Sequence, residues 1–381
     1  MAAAGQVRVV RAEDVAHMGI TEVLRHMPRV FRAYRTLVAA LHRDRPSLAI
    51  LIDFPDVNFR LAKHCKRLGI PVLWFVSPQL WAWKRRRLRW VRSRVSKMLV
   101  IFPFEEPFYR ARGVDAEFVG HPLAALPLPT ISREAYAADN NLDPAAEWIA
   151  LLPGSRQKEV ESNLPSLLEG VGNLDVRQHH EYLLPVASTL SQSWMSAYIA
   201  RWVRSNERRL RRIPVIRLVP DARPALHHAR AAIVASGTAT VQALTIGNPF
   251  VVVYRVSPLT FALAKRLIRY PAEISTRLGD PSQLVDADGN LPIAMVNLIA
   301  GRRIVPELIN DRFNPAELAV ALRPLLADTP ARAQIIVDLA ATRARLLPAP
   351  TANPIQRVCD VVEALLNPTQ SGKGQTPGRS V

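Results

Sequence analysis

Two short turns in the second half of the chain place phosphate-binding residue types directly after apolar runs. Pro153-Gly154-Ser155-Arg156 follows Trp148 to Leu152 and leads into Gln157-Lys158-Glu159, and Ser236-Gly237-Thr238 follows Ala232 to Ala235. Backbone N–H groups at a helix start, with the positive end of the helix dipole, suit a phosphate; glycine admits the ligand and Arg156 adds a bidentate donor. Taken alone, the first turn reads equally well as a plain strand-to-helix connection. Two such loops in one half of the chain make a diphosphate site the better reading. Gln242 stands one turn further on, where its amide could reach a ribose hydroxyl or simply face solvent.

In the first half, Ile52-Asp53-Phe54-Pro55-Asp56-Val57-Asn58 sets two carboxylates just after an apolar run. An aspartate at a strand end can act as general base on an acceptor hydroxyl, whereas helix capping suits Asp56 or Asn58 better. Asp53 is therefore the candidate catalytic residue. His121, in Gly120-His121-Pro122, could hydrogen-bond substrate but reads first as a structural residue. Asp286-Ala287-Asp288 has the spacing of a metal-binding pair, yet Gly289-Asn290 makes it a turn, and Arg156 with two helix starts lessens the need for a cation. The reading takes no metal and no cofactor.

These residues must be held by elements, and the elements are legible as apolar runs of strand length separated by amphipathic stretches, the pattern of a parallel sheet. Leu48 to Ile52, Val72 to Val76 and Met98 to Phe102 are buried-strand candidates of the first half. Trp148 to Leu152, Tyr182 to Val186, Val215 to Leu218, Ala232 to Ala235 and Phe250 to Val253 serve the second. Pro122 to Pro129 reads as a linker, 278–291 as a surface loop, and the segment after Asn367 as a disordered tail. The expected organisation is a first α/β domain over 1–124, a second over 125–345, a C-terminal helix within 346–366 and a tail over 367–381. Both domains are expected to be doubly wound and Rossmann-like. Ligands bind such domains at the carboxyl ends of the strands, so two facing domains would form a cleft for a donor and an acceptor.

Length and composition agree with two cores, because 381 residues exceed what one hydrophobic core usually serves. No apolar run is long enough to span a bilayer, and the first residues lack the pattern of an export signal, which points to the cytosol. Cys65 and Cys359 read as reduced packing residues. Fifty Lys and Arg against 32 Asp and Glu leave a net charge of +18, a field that attracts nucleic acid, anionic lipid or an anionic substrate. The run Lys84-Arg85-Arg86-Arg87-Leu88-Arg89-Trp90-Val91-Arg92-Ser93-Arg94 reads most simply as a solvated helix face. Trp81, Trp83 and Trp90 beside it favour a membrane interface, and no nucleic-acid module is recognisable. Met18 to Phe31, with Met18, Ile20, Val23 and Leu24, has core packing as its default reading and partial membrane insertion as its alternative.

Taken in order, the Asp53 loop, Ser77-Pro78-Gln79-Leu80-Trp81-Ala82-Trp83, Phe102-Pro103-Phe104-Glu105, Gly120-His121-Pro122, Leu152 to Arg156, the Ser236 loop and Asn297-Leu298-Ile299-Ala300-Gly301 resemble the lipid-A-disaccharide synthase family from about Met1 to about Leu366. The resemblance implies the two-domain GT-B fold and an inverting transfer. That reaction joins UDP-2,3-diacylglucosamine to 2,3-diacylglucosamine 1-phosphate (lipid X), giving lipid A disaccharide 1-phosphate and UDP. It further implies Asp53 as the essential aspartate and Gly154, Ser155, Arg156, Ser236, Gly237, Thr238, Gln242, Asn297 and Glu307 as the donor side. The implied partners are the two lipid substrates and the anionic cytosolic face of the inner membrane, without nucleic acid and with a homodimer left open.

Three features depart from the family pattern. Gln242 replaces a usual Glu, the Asp286 loop looks inserted, and the family's opening strand with its Gly-Glu-x-Ser-Gly-Asp turn has no counterpart. The first strand-helix unit of the N-terminal domain is thus expected to be missing, as in an N-terminally shortened reading of a synthase. The rival readings are another UDP-sugar enzyme of the same architecture, such as a peptidoglycan GlcNAc transferase or a UDP-GlcNAc 2-epimerase, and an inactive basic binding protein.

Overall fold

A computed structural model describes residues 5, 7–10, 20–172, 174, 179–210, 213–268, 270, 271, 273, 286 and 290–367. It divides into two compact units, Met1–Pro122 with Thr351–Val381 and Leu123–Pro350.

The first unit opens with helix α1 (Ile20–Asp44), followed by β1 (Ala49–Ile52), α2 (Pro55–Arg67), β2 (Val72–Phe75), a turn of 3-10 helix at Arg85–Arg87, α3 (Leu88–Arg94), β3 (Lys97–Val100), α4 (Glu105–Arg110) and β4 (Ala116–Phe118). The strands form one parallel sheet in the order β1-β2-β3-β4, so all four carboxyl ends lie along one edge. β2 is an apolar run because both its faces are covered: Val72, Leu73, Trp74 and Phe75 are all buried. β1 departs from the expected buried strand. Ala49 and Leu51 point inward, whereas Ile50 and Ile52 are 45% and 51% exposed, as befits a strand with a partner on one side only among the described residues.

The second unit carries α5 (Arg133–Asn140), β5 (Glu147–Leu152), α6 (Gln157–Gly172), β6 (His180–Pro185), α7 (Gln192–Asn206), β7 (Ile216–Val219), α8 (Ala222–His228), β8 (Ala231–Ala235), α9 (Thr238–Ile246), β9 (Phe250–Tyr254), α10 (Pro258–Leu267), α11 (Met295–Ala300), β10 (Glu307–Ile309), α12 (Pro315–Leu326) and α13 (Pro330–Ala344). Its six strands among the described residues are parallel in the order β10-β9-β8-β5-β6-β7. Chain direction across the sheet therefore reverses between β5 and β8, the doubly wound arrangement. Among the described residues the first unit's strands run in chain order, without such a reversal. The core of the second unit packs α6 and α12 on one face, where Leu164, Leu168, Leu318 and Leu322 meet Ile149, Ile233 and Val251.

α14 (Pro354–Leu366) returns to the first unit, and Arg357 Nε donates to Glu117 Oε1 of β4 at 2.5 Å. Asn353 caps this helix by accepting from the main chain of Ile355 and Gln356, and Pro354 opens it without an N–H to satisfy. Cys65 is buried as expected, but Cys359 on α14 is exposed, so it is no packing residue. No helix among the described residues is long and apolar enough to cross a membrane. Most of 278–291, with Asp288, and the tail after Asn367 lie outside the described residues.

Candidate functional site

The two glycine turns singled out in the sequence leave the sheet side by side. β5 pairs with β8, Leu152 opposite Val234, so Pro153 and Ser236 begin loops one strand spacing apart, at the position where strand order reverses.

The loop after β5 is built around Glu159. Its Oε2 accepts from the Ser155 N–H at 3.0 Å and its Oε1 from Arg156 Nη1 at 2.8 Å. Gly154 has φ +133°, and a Cβ there would lie 2.7 Å from Glu159 Cβ, so only glycine allows this closure. From below, Asn163 Nδ2 donates to the Pro153 carbonyl at 2.9 Å, and Thr189 Oγ1, from the loop after β6, donates to the Ser155 carbonyl. Arg156 projects outward with 75% of its side chain exposed.

The loop after β8 is held at its root by the Ser236 N–H, which donates to Val253 O at 2.9 Å. Gly237 is the N-cap of α9 with φ 153° and ψ −158°, a region open essentially to glycine alone. Among the described residues no side chain caps the helix, and a Cβ at Gly237 would meet nothing within 4 Å. The first turn of α9 presents the positive end of its dipole beside Gly237, with Thr238 exposed next to it. Gln242 sits one turn along α9, half-buried.

Asn297 and Glu307, placed on the donor side by the resemblance, direct their polar atoms into the fold. Asn297 is fully buried: its Nδ2 donates to Val305 O and to Glu307 Oε1, and its Oδ1 accepts from the N–H groups of Ile304 and Val305. Glu307, equally enclosed, accepts from the main chain of Ile293 and Ala294 and from Arg303 Nη1 at 3.2 Å. Buried polar groups need partners, and these two satisfy each other and the ends of α11. Between them they fix the main chain at 293–294 and 304–305.

In the first unit, Asp53 stands at the carboxyl end of β1. Its N–H continues the ladder to Phe75 O at 3.1 Å, and its side chain is exposed. Asp53 and Phe54 have φ 45° and 41°, and Val76 at the end of β2 has φ 63°. Positive φ in a β-branched residue is uncommon and costs energy, so the bends after β1 and β2 are held against their intrinsic preference. The holding group below Asp53 is Asn58, whose Nδ2 donates to Ile52 O at 3.1 Å and Asp53 O at 2.6 Å. Asp56 takes the other path, pairing with Arg87 at 2.7 Å.

The bend after β2 is fixed by a carboxylate that sequence reasoning did not single out. Glu105 is buried; Oε1 accepts from Ser77 Oγ at 2.7 Å and from Trp81 Nε1 at 3.1 Å, and Oε2 accepts from the Phe102 N–H at 3.1 Å. Burial pushes its carboxyl up to about 7 in spite of these donors. Trp81 is thereby removed from the membrane-facing set: it is 2% exposed and its indole N–H is spent on Glu105. Trp83 is the exposed one, with Lys84 Nζ 4.0 Å above its ring. Trp90 lies between, half-buried against Phe59 and flanked by the guanidinium groups of Arg87, Arg89 and Arg94. His121 is buried beside Phe102, and burial holds its imidazole down to about 4, which fits the structural reading. Met18 and the side chains of Ile20, Val23 and Leu24 lie outside the described residues.

Against known proteins, the family model described as lipid-A-disaccharide synthetase matches residues 1–347. The chain belongs to this family. A lipid-A-disaccharide synthase of Acidobacterium capsulatum is 49% identical over 370 residues, covering 96% of this chain and 87% of the relative. That of Koribacter versatilis is 44% identical over 346 residues, covering 91% and 83%. Among solved structures, a UDP co-structure of MnaA from S. aureus aligns with TM-score 0.56 at 10% identity, over 92% of this chain and 84% of that one. A UDP-N-acetylglucosamine 2-epimerase described as putative, from Listeria monocytogenes, aligns with TM-score 0.54 at 11% identity, over 97% and 85%. At such identities the structural likeness speaks for the fold, while the family rests on the closer relatives. The motif signal that Glu159 offered was its position in the first turn of a helix, three residues after Arg156, where an acidic side chain closes back on orphan N–H groups.

Proposed function

We propose that the protein is the inverting glycosyltransferase that joins UDP-2,3-diacylglucosamine to 2,3-diacylglucosamine 1-phosphate, giving lipid A disaccharide 1-phosphate and UDP. Membership of the synthase family supports the reaction. The observation that carries the donor site is the convergence of the Gly154 and Gly237 loops at the strand reversal of the second unit. Arg156, the Ser155 and Thr238 main chain and the α9 N-terminus would hold the diphosphate and stabilise its charge as it leaves. Gln242 is assigned to the ribose through a single accepting oxygen. Asp53 is assigned the proton of the acceptor hydroxyl, because it is exposed at a strand end and its main chain is fixed by Phe75 and Asn58. The setting we assign is the anionic cytosolic face of the inner membrane.

Binding of UDP tests the donor site. Arg156→Ala should weaken it by about 1.5 to 3 kcal/mol, the range for a charge-assisted hydrogen bond. Unchanged affinity in a folded variant would remove Arg156 and its loop from the site. Product analysis with acylated and non-acylated donor separates this reading from the other UDP-sugar enzymes: only the acylated donor should give a disaccharide.

A further inference from the structure

The donors of the β5 loop that suit a phosphate already have an anionic partner within the chain. Glu159 accepts from the Ser155 amide at 3.0 Å and from the Arg156 guanidinium at 2.8 Å. It reaches both because Gly154 leaves the room its side chain would fill; a Cβ there would stand 2.8 Å from Glu159 Oε2. The carboxylate's field extends along the sheet edge as well. The Tyr254 hydroxyl, at the end of β9, is pushed up first by burial and then by the Glu159 charge.

We propose that Glu159 is a specificity-determining residue, which competes with the diphosphate of a nucleoside diphosphate for Arg156 and the Ser155 amide. The proposal rests on the donor-site reading given above. The magnitudes allow such an exchange. Arg156 and Glu159 side chains are 75% and 39% exposed, and an ion pair in that setting contributes at most about 1 kcal/mol. A diphosphate brings more charge and more acceptor oxygens to the same two donors, so it displaces the carboxylate. A neutral nucleoside brings neither and leaves the pair intact. Glu159 thus holds the loop in a binding conformation while setting a threshold of negative charge for whatever replaces it.

The test is calorimetric titration of the full chain with UDP and with uridine, in the wild type, Glu159→Gln, Arg156→Ala and the double variant. Gln keeps an oxygen for the Ser155 N–H and removes the charge, so the loop stays closed and the melting temperature should hold. Glu159→Gln should bind UDP about fivefold more tightly, the equivalent of about 1 kcal/mol, and uridine as before. In the Arg156→Ala background the same substitution should gain clearly less, because the contested donor is gone. UDP binding that is unchanged or weaker in a folded Glu159→Gln variant would overturn the competition and make Glu159 a loop-closing residue only. If Arg156→Ala alone leaves UDP affinity unaltered, the donor-site reading fails first and takes this inference with it.

Discussion

At the scale of single residues, the two glycines and the aspartate that motivate the mechanism owe their positions to unusual backbone. Gly154 and Gly237 occupy conformations closed to other residues, and Asp53 is a non-glycine residue at positive φ. The strain at Asp53 is opposed by Asn58, which grips the carbonyls on either side of the bend. The side chain itself is left exposed, with the geometry of a group that acts on something outside its own unit's core. In an active preparation, Asp53→Asn should lower turnover by several orders of magnitude. The melting temperature and UDP affinity should stay close to the wild type, because the main-chain bonds remain and Arg156 is untouched. Retained turnover in a steady-state assay would end the assignment of Asp53 as base.

Among the elements, the loop after β2 depends on a carboxylate from the start of α4. The folded protein holds the Glu105 proton more tightly than the unfolded chain, its carboxyl being raised from 4.5 to about 7. Its contribution to stability is therefore fully present below about pH 4.5 and lost as pH rises through about 7. Wild-type protein should lose stability on the order of a few kcal/mol across this interval from this group, and Glu105→Gln should lack that component. Denaturant melts from pH 5 to 8 that run parallel in the two proteins would show that Glu105 is not the titrating group. The same loop marks a limit of sequence reading. An indole beside a basic run suits a headgroup layer, and it equally suits a buried site with one acceptor; the acceptor for Trp81 lies 24 residues away. Eight strands were legible as apolar runs. β4 and β10 were not, since each has three residues with a glutamate among them, Glu117 and Glu307, and their place in the sheet comes from pairing with neighbours. The Gly154 and Gly237 turns were legible because glycine at a strand-helix junction has a local cause. The partnership of Asn297 with Glu307 was not legible, because it spans a loop that local pattern does not register.

For the whole molecule, the charge of +18 is spread over 381 residues, but the first unit combines it with exposed aromatic surface. Phe31 on α1 is 55% exposed among Arg29, Arg32 and Arg35, and Trp83 is 46% exposed beside Lys84 and the Arg85–Arg87 turn. Aromatic groups flanked by cations are suited to an anionic interface, where each basic residue near the surface contributes about 1 kcal/mol. Sedimentation with vesicles should show stronger binding to phosphatidylglycerol-containing than to neutral membranes, falling as salt rises. Trp83→Ala should reduce the anionic binding, and equal partition to both vesicle types would count against the assignment.

The return of α14 to the first unit makes that unit discontinuous in time as well as in sequence. Its sheet leaves the ribosome early, and all of Leu123–Pro350 must be synthesised before α14 follows. At about 5 to 20 residues per second, this interval is on the order of ten to fifty seconds. Over that period β4 waits without the helix whose Arg357 pairs with Glu117, while the second unit, contiguous in sequence, can finish its own core. Chains ending at Pro350, once released from the ribosome, should accordingly protect the second unit from protease while leaving the first unit's β4 region cleavable. The order of maturation would then run opposite to the order of synthesis.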